Sequence, residues 1–403
     1  MAMRPLRSLL AFSEALQVCL DGTEPITRRE SVPLTQAVGR VLAVDVTAEF
    51  DVPGFDRAAM DGYAVRAGGT FGAGQFKPVE LEIIETLYAG DLAKRRVEAG
   101  TCAEVATGSK LPAGADGVVR VEDTEREGSR VRIRRPIHPG QNVSRSGEDV
   151  RRGKTVLRAG DLLTPSRVGV LAALGCAQAQ VFERARVHII ASGEEVVEPG
   201  QSLPDGKVYN INSYTLAAII QDTGAVATLA GIVEDDRDSV REALKSSLEH
   251  DVVVFSAGSS VGERDILIDA MREVGEVRFH GIAVKPGKPT LFGKAGRTLL
   301  FGMPGYPTSC LSNAYMMLVP VLRKLMQLPG RAEERVEAAL TTRIVSVTGR
   351  HQFYTVRLDD GLASPAFKES GAITSMSEAD GYIEIPANVD LLEKGDKVLV
   401  RRF

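Results

Sequence analysis

Apolar and polar positions run in two different rhythms along this chain, and the change falls near Arg184. From there to about Leu328, short apolar runs alternate with stretches of helical spacing. RVHIIAS, ATLAGIVEDD, DVVVF and TLLFGM read as buried strands, and YTLAAIIQDTG, DSVREALKSSLEH and DILIDAMREVG as helices. This predicts an α/β domain whose ligand crevice lies beyond the carboxyl ends of its strands. DVVVF runs straight into SAGSSVGERD, a loop in which Ser256, Gly258, Ser259, Ser260 and Gly262 bring backbone N–H groups and hydroxyls close to a phosphate. Asp265 falls near the first turn of the next helix, where an acid caps it or holds a cation. Two further loops follow the same recipe. FHGIAV runs into Lys285-Pro-Gly-Lys288-Pro, and TLLFGM into Pro304-Gly-Tyr-Pro307-Thr-Ser309, so one shared crevice is expected.

The flanking segments have other periods. Residues 5 to 20 place Leu6, Leu9, Leu10, Leu16 and Leu20 on one helical stripe, with Pro5 suited to a first turn. A short helical patch follows near Leu34 to Val38, and another helix is expected from about Pro165 to Leu174. Between about Pro53 and Pro139 the pattern is strand-rich (LEIIETLYAG, TCAEVATGSKLP, DGVVRVEDTE, RVRIRRPI), which predicts an inserted β lobe. Residues 333 to 403 read as short strands separated by Gly, Asp and Asn turns, a small all-β domain.

Composition narrows the partners. With 403 residues, 44% hydrophobic and 25% charged, and a formal charge of -4, there is no general drive toward nucleic acid or anionic membrane. Trp is absent and aromatics are 5%, which disfavours base-stacking surfaces. Cys19, Cys102, Cys176 and Cys310 are far apart and make no paired metal spacing, and the N-terminal apolar runs are too short for a signal segment or membrane span. These features predict a cytoplasmic protein.

The acids beside strand ends are Glu194, Glu195, Asp235, Asp236 and Asp265. Carboxylates converging on a phosphate crevice call for a divalent cation, since Mg²⁺ takes one or two protein carboxylates and completes its shell with water and phosphate oxygens. For each acid the competing role is a helix cap or solvated loop residue. Lys285 and Lys288 flank a rigid Pro-Gly turn that aims two ammonium groups at an anion, and the TS after Pro307 opens a helix, another anion-ready terminus. There is no Walker lysine motif and no Rossmann fingerprint. His138, His188, His250, His280 and His351 show no catalytic or metal spacing and are expected to be structural, and Cys310 a small buried residue.

At DRAAMDGYAV, residues 56 to 65, the chain resembles the molybdopterin molybdenumtransferase family, the MoeA proteins and gephyrin E domains. ATGSKLPAGADGVV, GQNVSRSGED, ASGEEV, SSVGERD, KPGKP and GMPGYPTS then follow in the family's order. The resemblance implies a multidomain α/β plus β fold in four domains. These are an elongated helical linker domain (1–52 with 144–182), the inserted β lobe (53–143), a central three-layer α/β molybdopterin-binding domain (183–330) and a C-terminal small β-barrel (331–403). It implies a homodimer in which the β lobe of one subunit completes the crevice of the other. It also implies an enzyme that takes adenylylated molybdopterin and molybdate, cleaves the AMP–phosphate anhydride with Mg²⁺, and places molybdenum on the dithiolene. Molybdopterin adenylyltransferase and apo-molybdoenzymes are the implied protein partners, with no nucleic acid and no membrane.

Carried over by motif, the expected active-site residues are Asp61, Thr107, Asp149, Glu195, Asp235 or Asp236, Asp265, Lys285, Lys288, Pro304, Pro307 and Ser370. Asp265 with Asp235, Asp236 or Glu195 is expected to hold Mg²⁺, and the lysines phosphate or molybdate. Ser259, Ser260, Gly262 and Ser309 join them as cofactor-binding residues. The chain departs from the family pattern at Ala257, at Tyr306 for the usual Asn, and at Thr355 for an Arg, with Arg357 as the candidate substitute. Tungstate is the rival oxyanion. A non-catalytic gephyrin-like scaffold is the rival function, with an adenylyltransferase of the preceding step as a third reading.

Overall fold

The computed structural model describes residues 9–256, 261–330, 334–368 and 370–403, the side chains of 261–265 excepted. The chain forms two compact units, residues 1–30, 39–41 and 181–403 in one and 31–38 with 42–180 in the other.

The first unit is built on a six-stranded sheet in the order Val226–Val233, Arg186–Ser192, Val252–Ser256, Thr298–Met303, Leu291–Ala295, Glu276–His280. The first four strands are parallel, Leu291–Ala295 runs against them, and Glu276–His280 runs with them again. Helices cover both faces. Val252 and Val254 point to a core shared with Leu216, Ile219 and Ile220 of helix Ile211–Asp222. Val253 and Phe255 point the other way, toward Val240 and Leu244 of helix Arg237–Ser247 and Leu267, Ile268 and Met271 of helix Val261–Val274. A strand buried on both faces needs apolar side chains at successive positions, which is why DVVVF is an unbroken run.

The C-terminal strands close on themselves. His351–Asp359, Leu362–Pro365, Arg335–Leu340, Lys397–Arg402 and Gly381–Ile385 pair in that order, and the last returns to the first, giving a closed five-stranded barrel. A closed barrel leaves these strands no free edge between them.

The second unit carries a six-stranded sheet in the order Gly117–Arg120, Gly62–Val65, Thr101–Val105, Val79–Leu87, Arg130–Ile133, Thr124–Glu127. Helix Pro165–Ala173 stands as expected, with Thr164 as its cap and Pro165 in the first turn, where a missing N–H costs nothing. Leu34–Gln36 is a short 3-10 turn.

Three expectations need correction. The N-terminal helix spans Phe12–Asp21 rather than 5 to 20, and buries Ala15 and Cys19. Leu10 lies outside it and bridges to Ile282, while residues 1–8 lie outside the described residues. FHGIAV is not a single strand: the sheet strand Glu276–His280, which runs in the same direction as the four parallel strands, ends at His280, and Val284–Lys285 pairs with the barrel strand that begins at His351. Finally, the helix starting at Pro307 is interrupted. It runs Pro307–Asn313, widens to a π segment over Ala314–Leu318, and resumes as Val319–Leu325. Pro320 cannot donate to the ladder and its ring crowds the carbonyl one turn back, which a widened turn relieves.

Candidate functional site

A cavity of about 320 Å³ opens at the carboxyl ends of the parallel strands. Ser192 and Ser256 end two of those strands, and Glu195, Asn212, Tyr306 and Pro307 complete much of the wall. Glu195 is placed by a small parallel ladder, in which Val196–Val197 pairs with Val208–Tyr209 and the Val208 N–H donates to Glu195 O at 2.8 Å. Gly193 makes room for its carboxylate: φ is +143°, and an added Cβ would lie 2.8 Å from Glu195 Oε2. The Asn212 amide donates to Ser256 Oγ and to Gly305 O, both at 2.8 Å, and so ties the strand end to the PGYP loop.

A second cavity, about 620 Å³, is lined by Lys285, Pro286, Gly287, Lys288, Pro289, Pro304, Tyr306, Ser309, Phe367, Lys368 and Ser370. No carboxylate lines it among the described residues. Three lysines and two serines in one wall suit a compact oxyanion, Lys368 being also paired with Glu378 outside the lining. The KPGKP turn is braced from below by buried Asn313, whose amide donates to Gly287 O at 2.9 Å and to Thr290 Oγ1. Ser370 is fixed through its carbonyl, which accepts from Thr308 N–H at 3.1 Å. Tyr306 lines both cavities and its ring lies beside Gly371, where a Cβ would sit 3.6 Å from Cδ1.

The predicted acids separate on inspection. Asp235 Oδ1 accepts from Ser192 Oγ at 3.2 Å, so it adjoins the first cavity through a lining residue. Asp236 caps helix Arg237–Ser247, its Oδ1 accepting from Asp238 and Ser239 N–H at 2.9 and 3.0 Å, and Ser239 holds its carboxyl below the usual range. The cap accounts for Asp236, which leaves Asp235 as the better metal candidate of the two. Helix Val261–Val274 begins earlier than expected, so Gly262 lies within the helix rather than in the loop and Asp265 is its fifth residue. Ser259, Ser260 and the Asp265 side chain lie outside the described residues. Among the described residues no group of three or more His, Cys, Asp or Glu stands ready for a metal.

In the other unit, Asp61 Oδ1 accepts from Thr107 N–H at 2.6 Å and from Thr107 Oγ1 at 2.8 Å. These donors hold the exposed Asp61 carboxyl below the ordinary value near 3.8. Gly62 is obligatory beside it, since a Cβ would lie 1.9 Å from Val119 O. Asp149 sits on an exposed loop, its N–H bonded to Val52 O at 3.1 Å.

The bland readings hold elsewhere. Cys310 is fully buried and its thiol is pushed up to about 12 by burial, against the lowering expected of a reactive helix-start cysteine. His188 packs at a tilt against His250, centroids 4.5 Å apart, and His351 stacks on Phe12 and meets Glu384 at 3.1 Å; neither cavity has a histidine in its wall. Arg357, the candidate substitute at Thr355, does not line the lysine-rich cavity and is engaged with Glu378. Neither Asn212 nor Lys368 is marked by a motif: Asn212 is the second residue of helix Ile211–Asp222, and Lys368 reaches its cavity through tertiary packing.

An α/β sheet with one cavity at its strand ends and a second, lysine-lined cavity sharing Tyr306 with it has the form of a small-molecule-binding α/β protein. Comparison with known proteins narrows this class. Three family profiles match in order: "MoeA N-terminal region (domain I and II)" over residues 10–175, "Probable molybdopterin binding domain" over 188–324, and "MoeA C-terminal region (domain IV)" over 337–403. Molybdopterin molybdenumtransferase 2 of Mycobacterium tuberculosis is 35% identical over 405 residues, covering 98% of this chain and 99% of that protein. The molybdopterin molybdenumtransferase of Haemophilus influenzae is 31% identical over 404 residues, covering 98% and 99%. The crystal structure of the molybdopterin biosynthesis moeA protein of Pyrococcus horikoshii superposes with a TM-score of 0.83 at 35% identity, covering 98% of this chain and 100% of that one. The chain belongs to the MoeA family, the molybdopterin molybdenumtransferases of molybdenum cofactor biosynthesis.

Proposed function

We propose that this enzyme inserts molybdenum from molybdate into adenylylated molybdopterin, with release of AMP. The observation that carries the reading is Tyr306, which is wall to both the strand-end cavity and the lysine-lined cavity. The larger ligand would occupy the first and the oxyanion the second, with the two reactants meeting across that residue. Lys285 and Lys288 would bind the oxyanion, Ser309 and Ser370 would orient it, and Pro304 and Pro307 would keep the loop between them rigid. In AMP release the anhydride P–O bond breaks and water supplies the oxygen that the phosphate keeps.

The oxygen donors around the first cavity fit Mg²⁺. Glu195 lines it and Asp235 adjoins it through Ser192, which matches the one or two carboxylates that Mg²⁺ takes. Asp265 would join them. When bound there, the ion supplies charge neutralisation for the leaving phosphate oxygens. Ser259, Ser260 and Gly262 would contribute to phosphate binding.

Asp61, Thr107 and Asp149 would act from the β-lobe unit of a second copy in a homodimer, and the enzyme would work in the cytoplasm with molybdopterin adenylyltransferase and apo-molybdoenzymes as partners. Among the described residues no helix is long and apolar enough to cross a membrane. Reconstitution tests this reading. Purified protein, adenylylated molybdopterin, Mg²⁺ and molybdate should load an apo-molybdoenzyme with molybdenum, read as bound metal and recovered activity. Loading by tungstate alone would move the assignment to the other oxyanion, and loading by neither would overturn it.

A further inference from the structure

Lys368 is the cation of the anion cavity that no motif announces. It lines the cavity with Lys285 and Lys288, on a segment pinned at both ends. Phe367 stacks on Tyr354 with centroids 5.0 Å apart, and Ser370 O accepts from Thr308 N–H at 3.1 Å. Its ammonium donates to Glu378 Oε1 at 3.1 Å and to Thr374 Oγ1 at 3.0 Å. An ammonium carries three N–H donors, so one is left to aim elsewhere. Glu378 also binds Arg357, so one carboxylate serves two cations and the cluster keeps a net positive charge. Lys368, then Arg357, hold the Glu378 carboxyl below its usual range, so the anchor stays ionised at neutral pH. Thr355, buried and uncharged, adds nothing to this balance.

We propose that Lys368 is a substrate-binding residue, whose remaining N–H donates to the oxyanion held by Lys285 and Lys288, with Glu378 and Thr374 as the positioning residues that fix its ammonium. A tetrahedral dianion then meets three ammonium groups and the hydroxyls of Ser309 and Ser370. The arrangement favours small doubly charged oxyanions over singly charged ones. This inference deepens the molybdate reading and rests on it.

The test is equilibrium binding of molybdate to the purified full chain by calorimetry, for wild type, Lys368→Met and Lys368→Arg, at low and high salt. The side chain is 46% exposed, so solvent screens the contact and the loss is taken at the low end of a charge-assisted hydrogen bond. Lys368→Met should weaken molybdate about three- to tenfold and flatten the salt dependence, with an unchanged melting temperature, and Lys368→Arg should recover most of the affinity. In turnover, KM for molybdate should rise while kcat holds. Unchanged affinity and salt dependence in Lys368→Met, with wild type binding normally, would overturn the role of Lys368 and leave the molybdate reading standing. A fall in melting temperature that Lys368→Arg does not repair would assign the residue to structure and also overturn it. Wild type that binds no molybdate would overturn the functional reading itself.

Discussion

Asn313 and Gly287 fit together with no room to spare: the Asn313 amide donates to Gly287 O at 2.9 Å, and a Cβ on Gly287 would lie 2.3 Å from that same nitrogen. Gly287 also has φ +103°, a conformation costly for any side chain. The turn that carries both lysines is therefore held by a bond that only glycine permits. Gly287→Ala should destabilise the protein by about 1–3 kcal/mol and weaken oxyanion binding, because both lysines lose their placement. Thermal melting with molybdate calorimetry checks this, and a variant with wild-type values in both would show that the turn is not braced in this way.

The Asp61–Thr107 pair sets a pH prediction. Two donors from Thr107 lower the Asp61 pKa in the folded protein, so whatever the pair contributes is present above the ordinary carboxylate value and is lost as pH falls through the depressed one. A carboxyl carbon-13 titration should place Asp61 below 3.8, and Thr107→Ala should move it upward. A wild-type titration at the ordinary value would contradict the geometry.

Tyr306 makes a third prediction. Because its ring is a wall of both cavities, Tyr306→Asn should merge them into one continuous space, visible in a crystal structure of the variant, and weaken molybdate by a few-fold through loss of that wall. Unchanged cavities and affinity would show that the ring is incidental.

Much of this architecture was legible before any coordinates. DVVVF and TLLFGM were readable as parallel strands because burial on both faces leaves no polar position, and Pro165 marked a helix start because its ring suits a first turn. The same logic did not place the start of the first helix, since Pro5 resembles a start signal while among the described residues the helix begins at Phe12. FHGIAV read as one strand on its apolar character, yet the sheet strand ends at His280 and Val284–Lys285 satisfies its backbone on the barrel, a non-local pairing that periodicity does not encode. Asp236 could not be told from Asp235 by position, because either could precede the helix; the two N–H groups whose bonds Asp236 accepts show that it is the cap. Lys368 lay in a stretch with no motif and came to the site through the packing of Phe367 and Ser370.

The most direct measurement is AMP release from adenylylated molybdopterin by the purified protein with Mg²⁺, run in parallel with molybdate, tungstate and no oxyanion, for wild type and Asp265→Asn. Release stimulated by molybdate and largely lost in Asp265→Asn is the predicted result. Tight ligand binding with no release under any condition, or full activity in Asp265→Asn, would contradict the account.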